Sequence, residues 1–139
     1  MAAEDDNVNI LKGAYAQWAA LKAADCSCWM SIAADDILMQ SLASGRHPLP
    51  FTETRSGKDQ LLAYFSGLTS DWEMLSYDVD EYIAQGDRVV AIARTAWRNR
   101  ATGKVADTPK IDLWRFHDGK VVELAEFYDT AHVFSAALP

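Results

Sequence analysis

The most constraining stretch of the chain is residues 108–129, TPKIDLWRFHDGKVVELAEFYD. Two runs of β-favouring residues, 111–116 and 121–128, flank His117-Asp118-Gly119-Lys120, where glycine supplies the positive φ of a tight turn. This reads as a β-hairpin. Alternation along the first arm puts Asp112, Trp114 and Phe116 on one face and Ile111, Leu113 and Arg115 on the other. An acid therefore sits among aromatics. A carboxyl aimed into an apolar face must be hydrogen-bonded, paired or kept protonated, because a bare buried charge is very costly. Asp112 is accordingly the leading candidate for a functional group.

The turn decides which residues of the second arm share that face. A three-residue loop, His117-Asp118-Gly119, pairs Phe116 with Lys120, sets Asp112 opposite Leu124 and brings Glu126 and Tyr128 to the Asp112 face. A two-residue loop, Asp118-Gly119, shifts the register by one, presents Ala125 and Phe127 instead and turns Glu126 outward. The preference for glycine at the third position of three-residue loops favours the first arrangement.

Upstream, Asp5, Asp6 and Asn7 suit a helix start, and Ile10, Leu11, Ala14, Tyr15, Trp18 and Leu21 recur at helical spacing, predicting a first helix to about Ala24. A short second helix carries Trp29, Met30 and Ile32 and ends at Ala33-Ala34-Asp35-Asp36, and a strand follows over residues 37–42. Residues 43–56, rich in Gly and Pro, form a loop with Arg46 and His47 at its centre. His47 is a candidate acid or base at a pocket rim, since histidine titrates near neutral pH. Ser56 caps a third helix with an inward stripe of Leu61, Leu62, Tyr64, Phe65 and Leu68, broken at Thr69-Ser70-Asp71. Strands follow over 72–84 and 88–99, with a turn at Ala101-Thr102-Gly103 before the hairpin and a closing helical turn within 130–139.

Helices first and an antiparallel meander afterwards predict an α+β fold, with about three N-terminal helices on one face of a curved antiparallel sheet in a single domain spanning residues 1–139. On the strand 88–99, Ala91, Ala93, Thr95 and Trp97 share a face, and small side chains there leave room for a ligand or a helix. Trp72, Trp97 and Trp114 are placed to wall such a pocket.

Thirteen basic against twenty acidic side chains give a net charge of −7, which argues against nucleic acid and anionic membrane partners. No apolar run approaches the ~20 residues of a membrane span, and MAAEDDN lacks the basic and apolar regions of a signal peptide, so the expectation is a cytoplasmic protein. Cys26 and Cys28, one residue apart, read as free thiols.

The ADDI stretch, the helix start SGKDQLLAYF and above all IDLWRFHDGKVVELAEFYDT resemble the nuclear transport factor 2-like superfamily, and within it the SnoaL-like and ketosteroid isomerase-like proteins, over residues 8–134. The resemblance implies a cone of three helices on a strongly bent antiparallel sheet, a deep apolar pocket and a homodimer through the outer sheet face. Asp112 matches the protonated oxyanion-hole aspartate of ketosteroid isomerase, an acid kept neutral by its apolar site. Tyr15 resembles that enzyme's oxyanion-hole tyrosine, and its general-base aspartate falls at Ser41, which cannot shuttle a proton between carbons unaided. Glu126 stands where SnoaL-group cyclases carry a proton-transferring acid, with Leu124 and Ala125 replacing their His and Trp.

The function expected from these readings is an isomerase or cyclase acting by acid–base chemistry on a small apolar carbonyl compound, needing no metal or cofactor. Asp112 is then the acid bonded to a developing enolate, Glu126 or His47 the base, and Tyr15 a further oxyanion donor. Trp97, Trp114, Tyr128, Ser41 and Tyr64 would contact the ligand. The competing reading is a non-catalytic ligand-binding module with the same pocket, and a third is a purely structural role for the buried acids.

Overall fold

The computed structural model describes residues 3–139. Helix α1 (Ala3–Ala20) starts with Glu4, Asp5 and Asp6, whose charges suit the positive end of the helix dipole, and buries Leu11, Ala14, Tyr15 and Trp18. It stops four residues before the predicted end. The Lys22 N–H bonds to the Ala19 carbonyl and the Ala23 N–H to that of Trp18, a Schellman closure in which Lys22 and Ala23 take φ of 50° and 61°. No glycine marks this turn, and it leaves Leu21 exposed rather than in the inward stripe.

After the single turn α2 (Ser27–Met30), the Ala33-Ala34-Asp35-Asp36 stretch is extended and opens β1 (Ala33–Ser41) rather than ending a helix. The cause is tertiary: Ala33 pairs with Val121, and a bulge between Ala33 and Leu38 takes up the charged pair. A 3-10 turn (Pro50–Thr52) and the two-residue β2 (Arg55–Ser56) lead to α3 (Lys58–Asp71), whose N-cap is Gly57 at φ 84°. Helix α3 buries Leu61, Tyr64 and Phe65, while Leu62 is exposed, contrary to its predicted place in the stripe.

The remaining strands are β3 (Trp72–Gln85), β4 (Arg88–Asn99), β5 (Val105–His117) and β6 (Lys120–Tyr128), followed by α4 (Thr130–Ala137), capped by the Asp129 side chain. The six strands form one open sheet in the order β2-β1-β6-β5-β4-β3. All neighbours are antiparallel except β1 and β6, which run parallel. Two irregularities in β3, at Leu75 and Asp80, add to its bending, and α1 and α3 pack against the sheet. The α+β architecture predicted from the order of elements is the one observed.

The hairpin closes differently from the favoured expectation. Its loop is the two residues Asp118 and Gly119, with φ of 48° and 77°, so His117 pairs with Lys120. Taken alone that turn sends Glu126 outward. A bulge restores it: Phe116 pairs with Val121 and Arg115 with Glu123, leaving Val122 without an opposite residue. Asp112 then faces Glu126 directly, two positions from the expected Leu124 but on the expected face.

Candidate functional site

Inward positions of β5 run Ala106, Thr108, Lys110, Asp112 and Trp114, one per two residues, and all five line an internal cavity. Asp112 is 2% and Glu126 5% exposed. Between them lies a group that the sequence reading did not single out. The Lys110 ammonium is 3.0 Å from Asp112 Oδ1 and 2.9 Å from Glu126 Oε2, and it donates a 3.0 Å hydrogen bond to the Tyr77 hydroxyl.

The helices and β3 complete the network. Tyr15 of α1 donates a short hydrogen bond to Asp112 Oδ2 and accepts one of 2.9 Å from Trp114 Nε1. Tyr77 donates to the same Asp112 oxygen at 2.9 Å, and Tyr64 of α3 donates to Glu126 Oε1 at 2.6 Å. Among the described residues no donor is aimed at Asp112 Oδ1: Lys110 is close enough for an ion pair, yet off the hydrogen-bonding line. The sequence left three ways to bury this acid, and the structure surrounds it with an ammonium and two hydroxyl donors.

Burial by itself pushes Lys110 down, but the carboxylates of Asp112 and Glu126 outweigh it and hold the ammonium well above its ordinary value. It is a cation at neutral pH and not a free amine nucleophile. Burial, reinforced by Asp112, raises Tyr15 and Tyr77 well above the usual phenol range, and burial with Glu126 does the same for Tyr64. All three remain donors. The site therefore sets two carboxyl groups against one ammonium among neutral phenols.

Around this polar end the walls are aromatic. All five tryptophans, Trp18, Trp29, Trp72, Trp97 and Trp114, line the cavity. Trp29 stacks on Trp114 at 5.2 Å, and Tyr15 meets Trp29 edge-on at 4.9 Å. The cavity volume is about 100 Å³, smaller than the ~150 Å³ apolar void known to take benzene in another protein. Half-buried Tyr128 and Val133, at the junction with α4, also line it.

The predicted residues thus fall into three groups. Asp112, Glu126, Tyr15, Tyr64, Trp97, Trp114 and Tyr128 all meet the cavity. Ser41 lies behind it, bonded to the Tyr128 hydroxyl at 2.6 Å, and so positions a wall residue rather than lining the wall. His47 is exposed and outside the lining, so the rim role expected of it is withdrawn; Leu49, Phe51 and Thr52 are the parts of its loop that reach the cavity. Lys110 and Tyr77 were missed. Lys110 lies two residues before Asp112 on the same strand face, and extending the alternation one step back towards Pro109 would have found it.

Helices on a bent open sheet around an aromatic cavity define the class of nuclear transport factor 2-like folds. The chain belongs within it to the SnoaL-like domain family, whose family model matches residues 14–124. Among solved structures, an NTF2-like protein of unknown function from Burkholderia pseudomallei is 21% identical with a TM-score of 0.85, covering 100% of both chains. An NTF2-like protein from Burkholderia thailandensis is 26% identical, with a TM-score of 0.81, over 96% of this chain and 98% of the other. A protein provisionally assigned as a SnoaL-like polyketide cyclase, from a Jannaschia species, is 20% identical with a TM-score of 0.78 over 98% and 94%. No curated protein sequence matches the chain.

Proposed function

We propose that the protein is an acid–base catalyst that moves a proton on a compact carbonyl compound, in the manner of an isomerase or cyclase. The observation that carries this reading is the Lys110 ammonium held between Asp112 and Glu126 at the end of an aromatic cavity, with Asp112 Oδ1 free of any aimed donor. That oxygen has spare capacity to accept a proton from a carbon next to the carbonyl.

The charge count favours such a step. In this step Asp112 enters as the carboxylate and the substrate is neutral; afterwards Asp112 is a carboxylic acid and the enolate carries the charge. Negative charge moves without accumulating, and it moves beside an ammonium already in place. Protonation of Asp112 also weakens the acceptor that Tyr15 and Tyr77 now share, which frees a phenol proton for the enolate oxygen. Glu126 keeps Lys110 in position through the transfer.

The test is hydrogen–deuterium exchange at the α-carbon of small ketones such as butanone and cyclopentanone, followed by NMR in deuterated buffer. Exchange above the buffer rate is expected, falling by about 10²–10⁴-fold in Asp112→Asn. Exchange that Asp112→Asn leaves intact removes that residue from the mechanism, and no exchange with any compact carbonyl compound overturns the reading.

We further propose that a second copy of the chain covers the outer sheet face, where Ile111 pairs with Phe127 and Ile92 and the first two stand 41% and 43% exposed.

A further inference from the structure

We infer that the cavity selects small organic cations, alkylammonium groups above all, over neutral and anionic molecules of the same size. This deepens the reading above by naming its substrate class, compact carbonyl compounds that carry an ammonium group, and rests on that reading for the carbonyl alone.

Three observations converge on it. First, the polar end is rich in acceptors and short of donors. The Lys110 ammonium already faces three acceptors, the Tyr77 hydroxyl, Asp112 and Glu126, and the Tyr15, Tyr64 and Tyr77 hydroxyl protons all point at carboxylate oxygens. What remains unused is acceptor capacity, chiefly Asp112 Oδ1, buried and without an aimed donor. Second, a single ammonium faces two carboxyl groups, so the end wall is acidic on balance and favours a further cation over an anion. Third, the other walls present the five indoles with Phe51 and Phe65, whose faces attract cations, tryptophan most strongly. A volume of about 100 Å³, below the ~150 Å³ of a void that takes benzene, keeps the occupant compact, and tetramethylammonium serves as the compact probe.

The folded wild-type protein is titrated at constant ionic strength with tetramethylammonium, tert-butanol and acetate. Tryptophan fluorescence is the readout, since every indole lines the cavity, and calorimetry is the second. Tetramethylammonium is expected to bind at least about tenfold more tightly than tert-butanol, with acetate weaker still. Tetraethylammonium, too large for the space, should bind less well than its smaller homologue. In Glu126→Gln, which removes one of the two acids, the preference for cation over alcohol should shrink towards one. Equal or tighter binding of tert-butanol or acetate overturns the inference, as does the absence of any response to tetramethylammonium; if Glu126→Gln does not fold, the wild-type series decides alone. The titration needs no turnover. Carbon-acid exchange without cation selectivity removes this inference only, and cation binding without exchange removes the catalytic reading only.

Discussion

Replacing Lys110 by Met keeps an unbranched side chain of similar length and deletes the charge between two buried acids. Because Asp112 and Glu126 both touch the same nitrogen, at 3.0 and 2.9 Å, their oxygens lie within about 6 Å, where two unit charges repel by about 3 kcal/mol at an effective dielectric of ~20. Removing one member of a buried ion pair typically costs about 3–5 kcal/mol, which agrees with that figure. For a domain of this size the loss corresponds to a fall in Tm of about 10–15 °C. The pH dependence separates this cause from simple mispacking. In wild type, the raised Lys110 value means that its contribution is fully present below about pH 10.5, the unfolded value, and is lost only above it, so Lys110 adds no slope between pH 6 and 8. In Lys110→Met the folded state takes up a proton to relieve the acid pair, whereas the unfolded chain, with ionised carboxylates, does not. A repulsion of about 3 kcal/mol is worth about two pH units, so relative to wild type the variant should lose up to about 1.4 kcal/mol per pH unit as pH rises through roughly the two units above the free carboxyl range of ~4, and its stability should level off at higher pH. Urea unfolding at pH 4, 5, 6 and 8 reads both numbers. A variant as stable as wild type at pH 8, with no slope, would refute the argument that the ammonium is what allows the two acids to be buried.

Three further outcomes follow from the structure. A Cβ on Gly67 would lie 2.5 Å from Phe51 Cβ, so Gly67→Ala should lose about 1–2 kcal/mol in thermal unfolding, its overpacking exceeding the ~1 kcal/mol gain in helix propensity; a stabilised variant would contradict that close approach. All five tyrosines are raised, Tyr128 to about 12, with burial the largest cause throughout, so the folded protein should show little phenolate absorbance at pH ~10.5, where free phenols at ~10 are mostly ionised. Stability from these groups is present below the unfolded value and lost as pH rises through the folded ones, so the phenolate signal should appear together with alkaline unfolding; an ordinary titration curve with the fold intact would overturn the network. Phe127→Lys on the outer face should convert a dimer to monomer in analytical ultracentrifugation while leaving the helical circular dichroism unchanged, and a wild type that sediments as a monomer defeats that proposal.

The legible part of this molecule was the part governed by strict periodicity. Asp112 and Trp114 were placed by period two along β5, and Tyr15 and Tyr64 by helical stripes, because those positions depend only on local geometry. The misses have separate physical causes. Lys110 was lost because Pro109 reads as a strand boundary, although in the sheet it is an exposed residue paired with Arg94. Tyr77 sits between the irregularities of β3 at Leu75 and Asp80, where simple alternation fails. The extended form of the Ala33–Asp36 stretch, given local propensities alone, looks like a helix end; the partner that makes it a strand, Val121, lies far along the chain. His47 was credited for its chemistry, but its side chain faces solvent while its loop neighbours reach inward.

Val122 carries a consequence out of proportion to its chemistry. It has no partner across the hairpin, yet the bulge it occupies sets the phase of everything after it. Flattening the bulge at unchanged length would rotate Glu126 to the outside and bring Phe127 in, whereas deleting Val122 itself would remove the bulge and leave Glu126 opposite Asp112. A substitution scan, which never alters spacing, would pass over it; among relatives of this protein, a chain one residue shorter at that point should have a regular hairpin with both acids still inside.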